Sequence, residues 1–382
     1  MLSLKPSKKP LKEGISMRKS LLAMAALMGI STLPAHAWRV NIDKETFADI
    51  GFSTIVRGTY EGNRNAVANE RSRLNFYVPL FNITAGGQVN ELVYFGMNLE
   101  GAGAGAQPVV RDSFIGLRFA EEFRLQAGLQ RAPFSRAALT STYVQLFPYH
   151  PGMGILVNPT NVETGAVNPR DAGIVVWGNV ADGMVKYYLG ITDGATIGSA
   201  VDDSLATTIR IQFTPVMAGF KPETGYTLAD TYLGRQNVLS IGAGYRTVGR
   251  SAGNQTTNMF TVDLLYENKF GDAVPNFQAG YINKQNANNT AGLTATQIYA
   301  QAGILYDQMV GVGKPAGAIR FERNSNEQAG QTATLTRFGV WGHYYIKGQA
   351  AKVSLGFDSV SCENNACPQN YTDLSLQLQT QF

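Results

Sequence analysis

The residues best placed to do chemistry in this chain are cations that recur on one parity of alternating stretches. Arg57, Arg71, Arg73, Arg118, Arg124, Lys186, Arg210, Arg246, Arg320, Arg337 and Lys352 each fall on the side opposite to a row of Leu, Ile, Val or Phe. Guanidinium groups projecting from facing strands into a water-filled lumen would favour anions, and their planar forks suit phosphate-like oxyanions. The same parity also carries Asp49, Glu100, Asp263, Glu267, Asp307, Asp358 and Asp373. Pairing between the two sets would give a structural network across a mixed lining, so anion passage and a charge-balanced wall both stand as readings.

Catalysis has less to work with. The histidines are His36, His150 and His343, and there is no G-x-S-x-G, H-E-x-x-H or Walker pattern; "GVGKPAG" (311–317) lacks both the spacing and the hydroxyl residue. His343 has the inward parity of its stretch and reads as a polar lining residue. A lipid hydrolase in the wall would instead need an outward Ser–His pair near one rim. The run "GAGAGA" (101–106) has no strand-loop-helix context for cradling phosphate and reads as a loop. Cys362 and Cys367, the only cysteines, are expected to form a small disulfide; nearby ligands are too few for a metal, and no cofactor is expected.

These side chains need strands to hold them. Strands send successive side chains to opposite faces, and the period-2 alternation is pervasive here. In "ADIGFSTIVRGTY" the apolar row is Ile50, Phe52, Val56 and Tyr60; in "YTDLSLQLQTQF" (371–382) it is Leu374, Leu376 and Leu378, facing away from Ser375, Gln377, Gln379 and Gln381. Similar segments cover 71–81, 92–100, 114–119, 124–130, 170–180, 184–192, 207–214, 238–248, 258–268, 276–284, 296–308, 316–323, 334–346 and 351–360, about sixteen strands in all. The expected fold is all-β: a transmembrane antiparallel barrel, each strand near the 9 to 11 residues a tilted membrane strand needs.

Connection lengths alternate as such a barrel requires. Short periplasmic turns are expected at 85–88, 120–123, 181–184, 271–275 and 347–350, with longer external loops at 101–108, 131–169, 193–206, 285–295, 324–333 and around the cysteines. Residues 215–237 fall where a short turn should be and are read as a hidden strand pair or a small periplasmic element. The longest connection, 131–169, is the third external loop and is apolar enough to pack against something. Folded inward it would narrow the pore, with Arg136, Tyr143 and Tyr149 on the constriction loop; an outside cap or a subunit contact is the other reading. A closed barrel pairs its last strand with its first, which explains a strand ending on Phe382.

The start of the chain reads as a secretory signal. Arg18 and Lys19 precede an apolar run and then Ala35-His36-Ala37, so residues 1–37 form a signal peptide with an N-terminal extension and 38–382 the barrel. Its loss removes six basic residues and one acid, leaving 26 basic and 27 acidic residues, a net charge of −1. With cations dispersed, no nucleic-acid partner is expected. No linker or composition break divides the remainder, which reads as one domain in the outer membrane of a Gram-negative-type bacterium, surrounded by its lipid.

Three stretches resemble the phosphate-selective porin O/P family: "RDSFIGLRFAEEFRLQAGLQRAPFSR" (111–136), which ends like the family's G-x-x-K-x-P-F-S, "RDAGIVVWGNVADGMVKYYLGITDG" (170–194), and the end of the chain from "TRFGVWGHYYIKGQAAKVSLGFDSV" onward. The resemblance implies a homotrimeric, sixteen-stranded channel for small anions with basic residues at the narrowing, where the motif's lysine is Arg131. It likewise implies that the terminal Phe382 serves as a signal for the barrel assembly machinery. The expected function is passive diffusion of small hydrophilic solutes, chiefly anions, without catalysis. The alternatives are a structural, adhesive or sheath-like barrel that does not conduct and, below that, a barrel lipid hydrolase.

Overall fold

In a soluble protein the large apolar side chains go in and the amides go out; here the distribution is reversed. Leu374, Leu376 and Leu378 are each about half exposed, at 49–50%, whereas Ser375, Gln377, Gln379 and Gln381 between them are at most 7% exposed. A strand with that distribution has an outward face made for hydrocarbon and an inward face closed over by the protein's own polar groups. The computed structural model describes residues 38–63, 72–103, 107–151, 156–157, 162–163, 170–194, 205–249, 255–287, 290–364, 366 and 369–382. The expected signal peptide, residues 1–37, lies outside the described residues, as do Arg71 and Cys367.

The strands are β1 (Trp38–Asn41), β2 (Phe47–Gly62), β3 (Ser72–Gln88), β4 (Val93–Gly101), β5 (Val109–Arg118), β6 (Arg124–Arg131), β7 (Leu156–Val157), β8 (Val162–Glu163), β9 (Arg170–Val180) and β10 (Val185–Thr192). They continue as β11 (Ala206–Phe213), β12 (Val238–Val248), β13 (Thr257–Glu267), β14 (Ala273–Gln285), β15 (Thr294–Tyr306), β16 (Lys314–Gln328), β17 (Gln331–Tyr345), β18 (Ala351–Glu363) and β19 (Tyr371–Gln381). Sixteen of them, β2–β6 and β9–β19, form a closed antiparallel barrel in which each strand pairs with its neighbour in sequence. β7 and β8 pair only with each other, within the long connection between β6 and β9.

Closure is made by β19 on β2, with Gln377 opposite Arg57 and Gln381 opposite Ser53. Beyond the end of β19 the same edge of β2 is taken up by β1, where Trp38 faces Ile50 and Asn41 faces Phe47. Phe382 and Phe52 exchange two backbone hydrogen bonds of 2.9 Å, and their rings lie 5.7 Å apart. The edge that lipid could not solvate is thereby paired along its length.

Several boundaries differ from the sequence reading. Residues 85–88 belong to β3, and the turn is 89–92. The glycines that suggested a turn sit in a strand because Gly87 faces backbone: a Cβ there would stand 2.0 Å from the Phe47 carbonyl oxygen. β16 and β17 run on to Gln328 and from Gln331, so the expected loop 324–333 shrinks to Ala329 and Gly330, both at positive φ. Asp307, assigned to the lumen, lies instead in a short turn at the rim that carries the termini, where Lys269 and Lys314 grip it. Residues 215–237 add no strand pair to the barrel; after a short 3-10 turn (Val216–Ala218) they turn into its interior.

Candidate permeation site

Among the described residues two chain segments enter the lumen, one from each rim. The connection after β6 folds inward over residues 132–150, including helix α1 (Arg136–Leu139), which is capped by the Ser135 hydroxyl accepting from the Ala138 N–H at 3.1 Å. Its carbonyls need donors, and inward cations and an amide of the wall supply them. Arg57 donates to the carbonyl of Pro148 (3.0 Å), Arg320 to that of Tyr149 (2.9 Å), Lys352 to that of Gln145 (3.3 Å) and Gln379 to that of Tyr143 (2.9 Å). On the opposite side the Arg136 N–H donates to Asp263 at 3.0 Å. This outer insert therefore crosses the lumen.

The connection after β11, residues 214–237, rises from the other rim to meet it. Lys186 donates to the carbonyls of Glu223 and Gly225, and the Tyr188 hydroxyl to that of Tyr226 at 2.8 Å. The two inserts join through backbone: the Leu228 N–H donates to the Leu139 carbonyl (3.1 Å) and the Asp230 N–H to that of Val144 (3.3 Å). Asp230 also accepts from the Leu146 N–H at 3.3 Å. At the junction the guanidinium of Arg136 forks onto Glu223, which accepts as well from Gln212 and Tyr232. Leu139 and Leu228 pack with Val175, Trp177, Tyr188 and Tyr226 below it.

Most of the cations expected to meet a solute are thus engaged by the protein. Arg210 forms a bidentate pair with Asp263 (2.7 Å twice), Arg246 pairs with Asp171 (2.6 Å) and Arg320 with Glu322 (3.0 Å). Arg73 pairs with Glu61, and Arg57 donates to Gln377 besides the loop. Arg337 lies over the ring of Tyr149, whose hydroxyl donates to Asp358. Of the residues expected on a constriction loop, Arg136 faces Glu223, Tyr149 faces Asp358 and Tyr143 donates to Asn82 at 2.7 Å. His343 accepts or donates at Ser354 Oγ, 2.9 Å away; the pair is buried on the lumenal face, away from lipid. Cys362 is disulfide-bonded.

A cavity remains against the wall made by β2–β6 and β9, bounded inside by Ser141, Thr142 and Tyr143 of the outer insert and Tyr226 and Thr227 of the inner one. Across its wall runs a chain of hydrogen bonds: Tyr143 donates to Asn82, Asn82 to Asn98 (2.7 Å) and Asn98 to Asp112 (3.1 Å), and Arg170 grips both Asp112 oxygens (3.2 and 3.3 Å). Arg131 borders the cavity and donates to the carbonyls of Ala138 and Thr140. Towards the terminal rim Arg118 and Arg124 face each other across the β5–β6 register, Arg118 over Tyr94 (5.4 Å) and Arg124 over Trp177 (4.6 Å). Gly116 gives Tyr94 its place, since a Cβ there would overlap the phenol ring at 2.0 Å.

Arg118 and Arg124, given an inward side by parity, and Arg131, named through the resemblance, border this cavity. Arg170 is not singled out by the sequence reading, which also takes residues 215–237 as a strand pair or periplasmic element rather than as an insert in the lumen. Arg170 opens β9 at a point where its partner, Asp112 on β5, is not adjacent in the chain. The insert's one visible signal was the lost alternation after Phe213.

Residues 56–268 match the family described as phosphate-selective porin O and P. An uncharacterized protein of Aquifex aeolicus (strain VF5) is 26% identical over 298 residues, covering 72% of this chain and 68% of that one. Among solved structures the chain is similar to OmpF of Salmonella typhi in complex with daunomycin (TM-score 0.59, 12% identity, 90% of this chain and 100% of that one). It is similar also to an anion-selective porin from Comamonas acidovorans (TM-score 0.58, 11% identity, 88% and 100%). A third likeness is to the in-vitro folded trimer form of OmpT, an outer membrane protein of Vibrio cholerae (TM-score 0.51, 10% identity, 88% and 99%). At these identities the structural likeness speaks for the fold.

Proposed function

The chain belongs to the phosphate-selective porin O and P family and is an outer-membrane channel, and from that premise we propose that it passes small hydrophilic anions passively through the cavity against β2–β6 and β9. The observation that carries this reading is the charge balance there: Arg118, Arg124, Arg131 and Arg170 border the space against the carboxylates of Glu100 and Asp112. Low-dielectric walls focus such an excess into a field that enriches anions. Arg57, Arg73, Lys186, Arg210 and Arg246 then serve chiefly to hold the inserts and the wall, and the outer insert with Tyr143 narrows the passage. The trimer form of the Vibrio cholerae protein supports a homotrimer. Residues 1–37 as a removable signal, Cys362 with Cys367 as the disulfide, and Phe382 as an assembly signal belong to the same reading. Family and fold speak for a channel rather than an enzyme.

A second reading is favoured by the inserts themselves: with backbone joined across the lumen, the barrel could be closed and structural. Planar-bilayer recordings of the purified protein separate the two. The expected result is potassium chloride current whose reversal potential favours chloride, shifting towards potassium in the double variant Arg118→Gln/Arg124→Gln. A silent bilayer supports the closed barrel, and current selective for potassium in the native protein rejects anion passage.

A further inference from the structure

We infer that the terminal-rim end of this cavity is a binding site for monocarboxylates with a flat apolar body, rather than for inorganic phosphate; the inference rests on the channel reading above. Its head site is Arg118 with Arg124. Among the described residues Arg118 forms no ion pair; its guanidinium lies over the ring of Tyr94, with Arg124 and the Glu121 carboxylate acting on it electrostatically. Arg124 is 2% exposed, ion-paired through Nη2 with Glu121 at the rim, and its Nε has no hydrogen-bond partner among the described residues. Two like charges opposed across a β-pair destabilise each other unless an anion lies between them. Glu121 answers Arg124 from the rim and Arg124 Nη1 donates to the Thr224 carbonyl at 3.3 Å; an anion bound by the Arg118 donors and the Arg124 Nε relieves the repulsion that remains.

The rest of the site argues for the body. Phe114 and Tyr94, edge to face at 6.2 Å, supply an apolar wall next along the cavity from the arginine pair. Their rings are fixed by glycine: a Cβ on Gly96 would overlap Phe114 at 2.5 Å. A phosphate dianion has no use for that wall. It would also lie in one chamber with Glu100 and Asp112, while the arginines nearest those acids, Arg170 and Arg131, already donate to Asp112 and to insert carbonyls. A single negative charge with a ring attached satisfies the free donors, covers the apolar wall and keeps clear of the acids.

Benzoate, acetate and inorganic phosphate, each added to the purified full-length protein in potassium chloride bilayers, test this by block of chloride current. Benzoate is expected to block at a concentration about tenfold below acetate, the scale on which one buried ring contact acts. Phe114→Ala should erase most of that difference by weakening benzoate alone, and Arg118→Gln should weaken benzoate and acetate together. Should either variant fail to fold, benzoate against cyclohexanecarboxylate and acetate on the native channel still reads the apolar wall. Equal block by benzoate and acetate, or strongest block by phosphate, overturns the inference and leaves the channel standing. Absence of any chloride current would instead remove the channel reading beneath it.

Discussion

A guanidinium on the lumenal side acts on a solute only where the protein has left its donors unused. Side-chain parity correctly placed Arg210, Arg246 and Arg320 inside, and each is at most 4% exposed. For Arg210 and Arg246 parity could not supply the partner, because Asp263 and Asp171 are set by register and by which strands adjoin, whereas Glu322 shares the face of Arg320 two residues along β16. Arg136 shows the consequence most sharply, being wholly buried and answered by Glu223 from the opposite insert. Removing one partner of a buried pair leaves an uncompensated charge, at a cost of about 3–5 kcal/mol. Glu223→Ala should therefore lower the urea midpoint of the refolded protein markedly, and the double variant Glu223→Ala/Arg136→Met should recover much of it. Equal midpoints for Glu223→Ala and the native protein would show that the pair contributes nothing.

Regular elements were legible because each strand repeats one simple rule, apolar out and polar in, over about ten residues. Failures came where the rule was silent. Gly86 and Gly87 look like a turn yet lie in β3, and residues 214–237 have no period because they are held through their carbonyls by Lys186, Arg124 and Asn179 rather than by a patterned face. Since the inner insert occupies the lumen beside β10–β13, deleting 221–234 should raise unit conductance severalfold in the bilayer; unchanged conductance would mean that ions already bypass it. The rim turn between β15 and β16 carries a smaller device. Hydrogen bonds from Lys269 and then Lys314 hold the Asp307 carboxyl below its ordinary range. A depressed carboxyl stabilises the fold above its unfolded pKa and loses that contribution as the pH falls through the folded value. Asp307→Asn should therefore remove a small, salt-sensitive stability, about 0–1 kcal/mol at neutral pH, and make the variant and native melting temperatures converge below about pH 4. A gap that persists in acid would assign the effect to packing.

At the scale of the molecule, the sequence pointed to a closed wall, since strand number, parity and a terminal two-faced strand all require one. It left open how much of the interior is filled. Filling depends on two long connections finding each other across the lumen through main-chain contacts such as Leu228 with Leu139, and main-chain contacts leave no trace in side-chain pattern. The wall itself rests on the outward rows meeting hydrocarbon, a proposition that one residue can probe. Leu376 sits mid-strand on β19, 50% exposed, opposite Gly58 of the closing strand. Arginine in the hydrocarbon midplane of a barrel costs about 2–4 kcal/mol, falling towards zero near the interfaces. Leu376→Arg should therefore destabilise the protein in lipid vesicles by that amount, and the same substitution at Phe270, at the terminal rim, by much less. In detergent micelles, where the belt can deform around the charge, the difference between the two sites should narrow. Equal costs at both sites in vesicles would mean that the Leu374–Leu378 row faces something other than acyl chains, such as a neighbouring subunit, and would move the membrane-facing wall to another sector of the barrel.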